Sequence, residues 1–272
     1  MKRNIILTLF AACITSALFQ ACDPIEPNTY TETLYRVGTI RLKNNKVSLV
    51  TDLLNETFYM QNFSTEQDMK DNNIKDGERV IASLTLEAVG SMNNNTISLN
   101  ELLIIPVSKV EDAHPADTMN HYYKFAVMQF NELTYPSIWS AGHIINLAPV
   151  FYVPRSDSKQ EFHLYPIEVK NDTLFMRLYS DIPDCDVSLD PDYTQTFLNY
   201  DLSSLRNAAA NPSEQERRDS ILARLDRLHQ DEFTVHIMTP DTLRAKNTKN
   251  PNGPYLQTVP GLPASTKVKF DF

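Results

Sequence analysis

The chain has 272 residues, 42% hydrophobic and 22% charged, enough apolar material for one or two packed domains and too much for wholesale disorder. A net charge of −9 disfavours a nucleic-acid backbone or an anionic membrane surface as partner. Six glycines against sixteen prolines argue against Gly-rich phosphate loops, so turns fall to Asn, Asp and Pro.

The chain opens as an export signal. Lys2 and Arg3 form a basic start, Ile5 to Phe19 is mostly apolar, and small Ala21 precedes Cys22. The apolar stretch is short for a retained membrane helix and is diluted by Thr8, Thr15 and Ser16. An ordinary signal cut before Cys22 needs a small residue where Phe19 stands. A lipoprotein signal resembles the segment better, even with Phe19 in the place of the usual Leu, because it explains Cys22 as the acylated new N-terminus. A cut at Cys13 would leave the apolar Ile14 to Phe19 exposed.

Residues 1–21 are therefore read as a lipoprotein signal and 22–34 as a polar tether. Losing Lys2 and Arg3 leaves 23 bases against 34 acids. More than one acyl chain, palmitate among them, gives Cys22 a stable hold on the outer membrane of the envelope, on its periplasmic or its surface face. The mature chain keeps only Cys22 and Cys185, and acylation of Cys22 excludes an intramolecular disulfide.

Five strands are expected next: Tyr35–Leu42, Val47–Thr51 across an Asn44-Asn45 turn, Phe58–Met60, Arg79–Val89 and Thr96–Val107. The polar run 63–75 reads as helix or loop. Together these segments fit a small barrel over 35–115. The polar stretch around Pro115 marks a boundary. Beyond it, strands at Tyr122–Phe130, Ile138–Val153, Glu161–Val169, Thr173–Leu178, Gln195–Leu202, Phe233–Met238 and Lys267–Phe272 fit a β-sandwich over 116–272.

One amphipathic helix stands out. Asn211 caps it, Pro212 takes the first turn, and Ile221, Leu222, Leu225 and Leu228 form a stripe, while Glu216, Arg227 and Gln230 face away. Arg218 falls on that stripe, so apolar contact is expected only after it. The helix reads as a crossover resting on the sandwich, or as a docking surface for a partner.

Several segments resemble the NigD-like lipoproteins of gut and oral Gram-negative bacteria. Val37-Gly38-Thr39-Ile40 and Lys75-Asp76-Gly77-Glu78-Arg79-Val80 match the N-terminal part. Ile138-Trp139, Gly142-His143-Ile144-Ile145-Asn146-Leu147, Asp172-Thr173-Leu174 and Tyr200-Asp201-Leu202-Ser203-Ser204-Leu205 match the C-terminal part. The resemblance implies a mainly-β protein with an N-terminal OB-like β-barrel followed by a β-sandwich. It implies no enzymatic activity; an immunity or accessory role beside a bacteriocin is implied for some members.

The remaining constellations are weighed against ordinary packing. Cys185 between Asp184 and Asp186 lacks the electropositive setting of a reactive thiol. Asp181, Asp184, Asp186, Asp190 and Asp192 offer hard oxygen ligands for calcium or a solvated acidic loop, without the Gly turn and terminal Glu of an EF-hand. His114, His121, His143, His163, His229 and His236 form no H-E-x-x-H pair, and no G-x-S-x-G elbow exists. The aromatics Tyr122, Tyr123, Phe125, Trp139, Phe151, Tyr152 and Tyr165 stack on sugars if exposed in a groove, and form core if not. Thr118, Thr173 and Thr242, and Ser220 inside the expected helix, sit in Asp-Ser/Thr-aliphatic tripeptides that resemble an O-glycosylation sequon.

The reading is a non-enzymatic envelope lipoprotein with no catalytic residues, cofactor or metal. It is held to the membrane by Cys22, binds a protein or glycan partner and does not bind nucleic acid. The alternatives are a bacteriocin immunity or accessory protein, and a hydrolase whose site is assembled from scattered residues.

Overall fold

A computed structural model describes residues 29–89, 95–112, 127–130, 136–154, 161–181, 189–227, 232–238 and 264–269. The chain forms two compact units. One holds the described residues of 29–51 and 56–103; the other holds those of 52–55 and from 104 onward. The boundary expected at 115/116 lies outside the described residues.

The first unit is one sheet of five strands in the order β3-β2-β1-β4-β5, built from β1 (Thr29–Lys43), β2 (Lys46–Thr51), β3 (Thr57–Phe58), β4 (Arg79–Val89) and β5 (Asn95–Ile104). Strand β1 starts at Thr29, inside the stretch expected as tether. Its Thr-Tyr-Thr-Glu-Thr-Leu-Tyr run is rich in β-formers and pairs residue by residue with β4, from Thr29↔Val89 to Leu34↔Leu84. The β1–β2 turn is Asn44-Asn45 as expected, with φ of 52° and 59°. Asn tolerates this left-handed region, and two such residues in a row match the twist of a tight hairpin.

Core residues follow the period of two. Ile40 opposite Leu49 and Leu42 opposite Val47 point inward, where Val80, Ala82 and Leu84 of β4 join them under Met60, Phe63 and Met69. The barrel expected over 35–115 is an open sheet among the described residues, because no strand ladder joins its edge strands β3 and β5. Instead, Asn62 spans to β5, donating Nδ2–H to Leu99 O at 2.7 Å and accepting from Leu99 N at 2.7 Å. Gln61 N–H donates to Ile97 O at 2.9 Å alongside it.

Within the run 63–75 a short helix forms, α1 (Glu66–Asp71), capped by Thr65 and Asp68 in a reciprocal box. Backbone N–H groups of Ser64 and then Thr65 hold the Asp68 carboxyl below its ordinary value. Stability from that carboxylate is therefore full above the ordinary carboxylate range and lost as pH falls through its depressed value. Thr65→Ala removes half the box and is expected to cost ~1 kcal/mol in urea denaturation at neutral pH. A change within error would show that the cap carries nothing.

The second unit begins with β6 (Val107–Lys109), which pairs in parallel with β14 (Leu198–Asp201). That pair joins β9 (Ile144–Leu147) and β8 (Ile138–Ala141) in a sheet ordered β6-β14-β9-β8. A second sheet runs β11 (Glu161–Lys170), β12 (Thr173–Asp181), β15 (Glu232–Met238), β16 (Ala264–Lys269). The two share one core, with Ile145, Leu147 and Tyr200 from the first sheet against Leu164, Met176 and Val235 from the second. This is the expected sandwich. A third sheet orders β13 (Leu189–Gln195), β10 (Pro149–Pro154) and β7 (Val127–Phe130).

The expected single strand 138–153 is three strands. Gly142, at φ 58°, turns β8 into β9, and Ala148 separates β9 from β10. The helix is α2 (Pro212–Arg227), with Asn211 Oδ1 accepting from Glu214 N at 3.0 Å. It lies in the crossover between β14 and β15, and Ile221 and Leu225 are buried in the shared core. Its apolar face is therefore core and not a docking surface. Arg218, expected to stand outside the packing, is 4% exposed.

Candidate functional site

The site is built on the outer face of the β1–β2–β3 hairpins, opposite the first unit's core. Side chains alternate along a strand, so with Ile40 and Leu42 directed inward, Arg41 and Lys43 project outward. Register places Ser48 across from Arg41 and Lys46 across from Lys43, with Thr57 opposite Val50 one strand further. These residues line a groove of about 620 Å³ together with Tyr59, which is 63% exposed.

The groove lining carries only positive charge, with the Asp76 carboxylate beside it, accepting from Leu42 N at 2.8 Å between Arg41 and Lys43. Arg41, Lys43 and Lys46 are exposed, no acid lines the groove, and none of the three ion-pairs with a described residue. Lys43 and Lys46 face each other across the ladder, about 5 Å apart at Cβ, where like charges cost several tenths of a kcal/mol. Arg41 follows Lys43 at about 7 Å along the strand. The arrangement can hold negative charge and offer an aromatic face beside it. Its lining holds no histidine, cysteine or carboxylate to activate the hydroxyls of Ser48 and Thr57.

Sequence reading missed these residues because a chain net charge of −9 pointed away from anionic partners. The signal that finds them is local: Arg41-Leu42-Lys43-Asn44-Asn45-Lys46 puts three bases around one tight turn without an acid.

Of the residues singled out in sequence, Cys22, Thr118 and Thr242 lie outside the described residues, as do Asp184, Cys185, Asp186, Tyr122, Tyr123, Phe125, His114, His121 and His229. Thr173 opens β12 and is half-buried, paired with Lys170 on one side and Thr234 on the other. Ser220 lies within α2. Asp181 ends β12, while Asp190 and Asp192 lie within β13. Among the described residues no group of three His, Cys, Asp or Glu could hold a metal ion.

Of the aromatics weighed between sugar stacking and core, Trp139, Phe151 and Tyr165 are core, at most 8% exposed. Phe151 packs edge-on against Phe162 at 5.0 Å, so ring–ring contact satisfies the faces a sugar would need.

Histidine and carboxylate meet at two places among the described residues of the second unit. His163 Nδ1 lies 2.8 Å from Glu111 Oε1, its Nε2 is 3.9 Å from Glu161 Oε2, and its ring stacks on Tyr165. Beside it, Tyr200 donates its hydroxyl to Phe162 O at 2.9 Å; burial first, and Glu111 second, push that phenol well above its ordinary value. Glu111 N–H also donates to Leu164 O at 2.9 Å. The cluster pins the Glu111 segment to β11. His236 packs edge-on against Phe175 at 5.2 Å, and burial holds its imidazole below the usual range. His143 is half exposed, 3.7 Å from Asp201.

No protein-family model matches the chain, and no curated protein matches it. Among solved structures, it is similar to a toxin-related protein of Parabacteroides distasonis, at 12% identity over 88% of this chain and 94% of that one, with a TM-score of 0.47. A Parabacteroides merdae protein gives 11% identity, 86% and 98% coverage and a TM-score of 0.47. A NigD-like immunity protein of Bacteroides caccae gives 12% identity, 83% and 90% coverage and a TM-score of 0.43. The last carries the family name that the sequence motifs resemble.

Proposed function

We propose that this protein is an envelope lipoprotein, held to the outer membrane through Cys22, that acts by binding a partner and not by catalysis. The observation that carries the proposal is the groove of Arg41, Lys43, Lys46 and Tyr59, which concentrates cations and an exposed tyrosine with no histidine, cysteine or carboxylate in its lining. Three clustered cations on an acidic chain, two of them opposed, work against the fold's own stability, and such departures mark sites kept for another purpose.

Affinity capture from envelope extracts tests the reading. The full chain is expected to retain a protein or glycan component that Lys43→Glu/Lys46→Glu, with an unchanged thermal transition, fails to retain. Identical capture by both proteins, or none by either, overturns the groove as the binding face. The anchor is tested separately by mass spectrometry of the membrane-extracted protein, where an N-terminus at acylated Cys22 is expected. A mature start at Asp23, or an unacylated Cys22, removes the lipoprotein reading. The same spectra show whether Thr118, Thr173 or Thr242 carries a sugar.

The motifs that resemble the NigD-like family support a second reading, an immunity or accessory role against a bacteriocin. It requires a toxin or exporter gene beside this one, and a neighbourhood without either counts against it.

A further inference from the structure

We infer that the ligand of the groove is an acidic oligosaccharide, a sugar chain bearing carboxylate or sulfate groups. This rests on the groove being the binding face, and narrows it to a chemical class. Three features converge on such a ligand. The cations spring from adjacent positions, with Cβ atoms about 5 Å apart for Lys43 and Lys46 and about 7 Å along the strand from Lys43 to Arg41, so their flexible stems can reach negative groups carried on neighbouring sugars. Tyr59 lines the same groove and is well exposed, and the apolar C–H face of a pyranose packs on such a ring. Asn44 and Thr57 add exposed hydrogen-bonding groups for sugar hydroxyls between the charges.

The competing anions fit less well. A nucleic-acid strand needs a basic track that continues along its backbone, whereas this patch ends within one hairpin of an acidic chain. A free phosphate, or a peptide of acidic residues alone, uses the cations and brings no apolar face to Tyr59. The charges set affinity and salt sensitivity; the ring makes the site one for sugars.

Calorimetric titration of the full chain in detergent decides the matter. The probes are a galacturonic acid hexamer, a heparin hexamer, maltohexaose, polyglutamate, a short single-stranded DNA and inorganic phosphate. At least one acidic hexamer is expected to bind, with affinity falling as salt rises, while maltohexaose does not. Lys43→Glu/Lys46→Glu is expected to weaken that binding about tenfold or more. Tyr59→Ala is expected to weaken it up to about tenfold without changing the salt dependence. Lys43→Gln/Lys46→Gln, which removes charge without reversing it, serves as a milder control with an intermediate loss.

Absence of binding by both acidic hexamers overturns the inference, as does binding that the lysine variants leave unchanged. Polyglutamate, DNA or phosphate binding as tightly as the sugars, with Tyr59→Ala silent, overturns it in favour of a plain polyanion or anion site. The two readings fail differently: lysine-dependent capture from envelope extracts without acidic-sugar binding leaves the groove standing and removes only the sugar.

Discussion

Replacing Gly38 by Ala is expected to open the first unit's sheet, at a cost above ~3 kcal/mol, the upper end for forcing an extra carbon into a packed site. A Cβ at position 38 would lie 2.4 Å from Val50 O and 3.0 Å from Leu49 Cδ1. The first neighbour is backbone, so no rotamer change relieves the overlap. Nor can β1 step aside, because Gly38 pairs with Thr51 of β2 on one flank and with Val80 of β4 on the other. Ile40 and Leu49, both fully buried, would be pulled out of register with the strands that carry them. Hydrogen exchange locates the damage: amides of β1 and β2 are expected to lose protection, while those of β11 and β12 in the second unit keep theirs. Unchanged exchange over 36–51 would show that the strands separate at no cost, and the close approach would then have no structural weight.

Gly38 also shows what was legible in the sequence and what was not. It was visible as part of Val37-Gly38-Thr39-Ile40, one of the segments that carry the family resemblance, yet the reason for glycine is a neighbour, Val50, that only the β1–β2 register supplies. The same division holds elsewhere. Alternation along β1, β4 and β11, the Asn44-Asn45 turn and the Asn211 cap are local physics, so the mainly-β fold, the hairpin and the helix could be read directly. The early start of β1 was hidden because Thr29 to Leu34 earn their strand only through pairing with β4. The split of 138–153 into three strands turned on Gly142, a positive-φ turn inside a run whose apolar content reads as continuous.

The candidate site was illegible for a related reason. Charge summed over 272 residues conceals three bases on one hairpin. Conversely, Trp139, Phe151 and Tyr165 were conspicuous in the sequence, and proved to be core because aromatic rings on inward strand positions find one another first.

Arg218→Met is expected to destabilise the second unit by ~3–5 kcal/mol, the range for stripping one partner from a buried ion pair. Arg218 stands on the apolar stripe of α2, and its Nη2 meets Asp112 Oδ1 at 2.7 Å. The guanidinium also donates to three carbonyls: Nη1 to Ser204 at 3.1 Å and Asn207 at 3.3 Å, Nη2 to Val110 at 3.3 Å. Asp112 in turn accepts from Ala210 N at 2.6 Å. One side chain thus ties the helix to the segment after β6 and to the turn of 3-10 helix at Leu202–Arg206. Truncating it leaves the Asp112 charge and the buried carbonyls of Val110 and Ser204 without their donor, and water cannot replace all of them at a site where the arginine is 4% exposed. Asp112→Asn removes the charge but keeps an acceptor for Ala210, so the double variant Arg218→Met/Asp112→Asn is expected to cost less than the two singles added, by ~1–3 kcal/mol of coupling. Urea denaturation of the four proteins closes the cycle. A loss under ~1 kcal/mol for Arg218→Met, with additive singles, would place the pair among ordinary surface ion pairs and refute its role as the clamp of the helix.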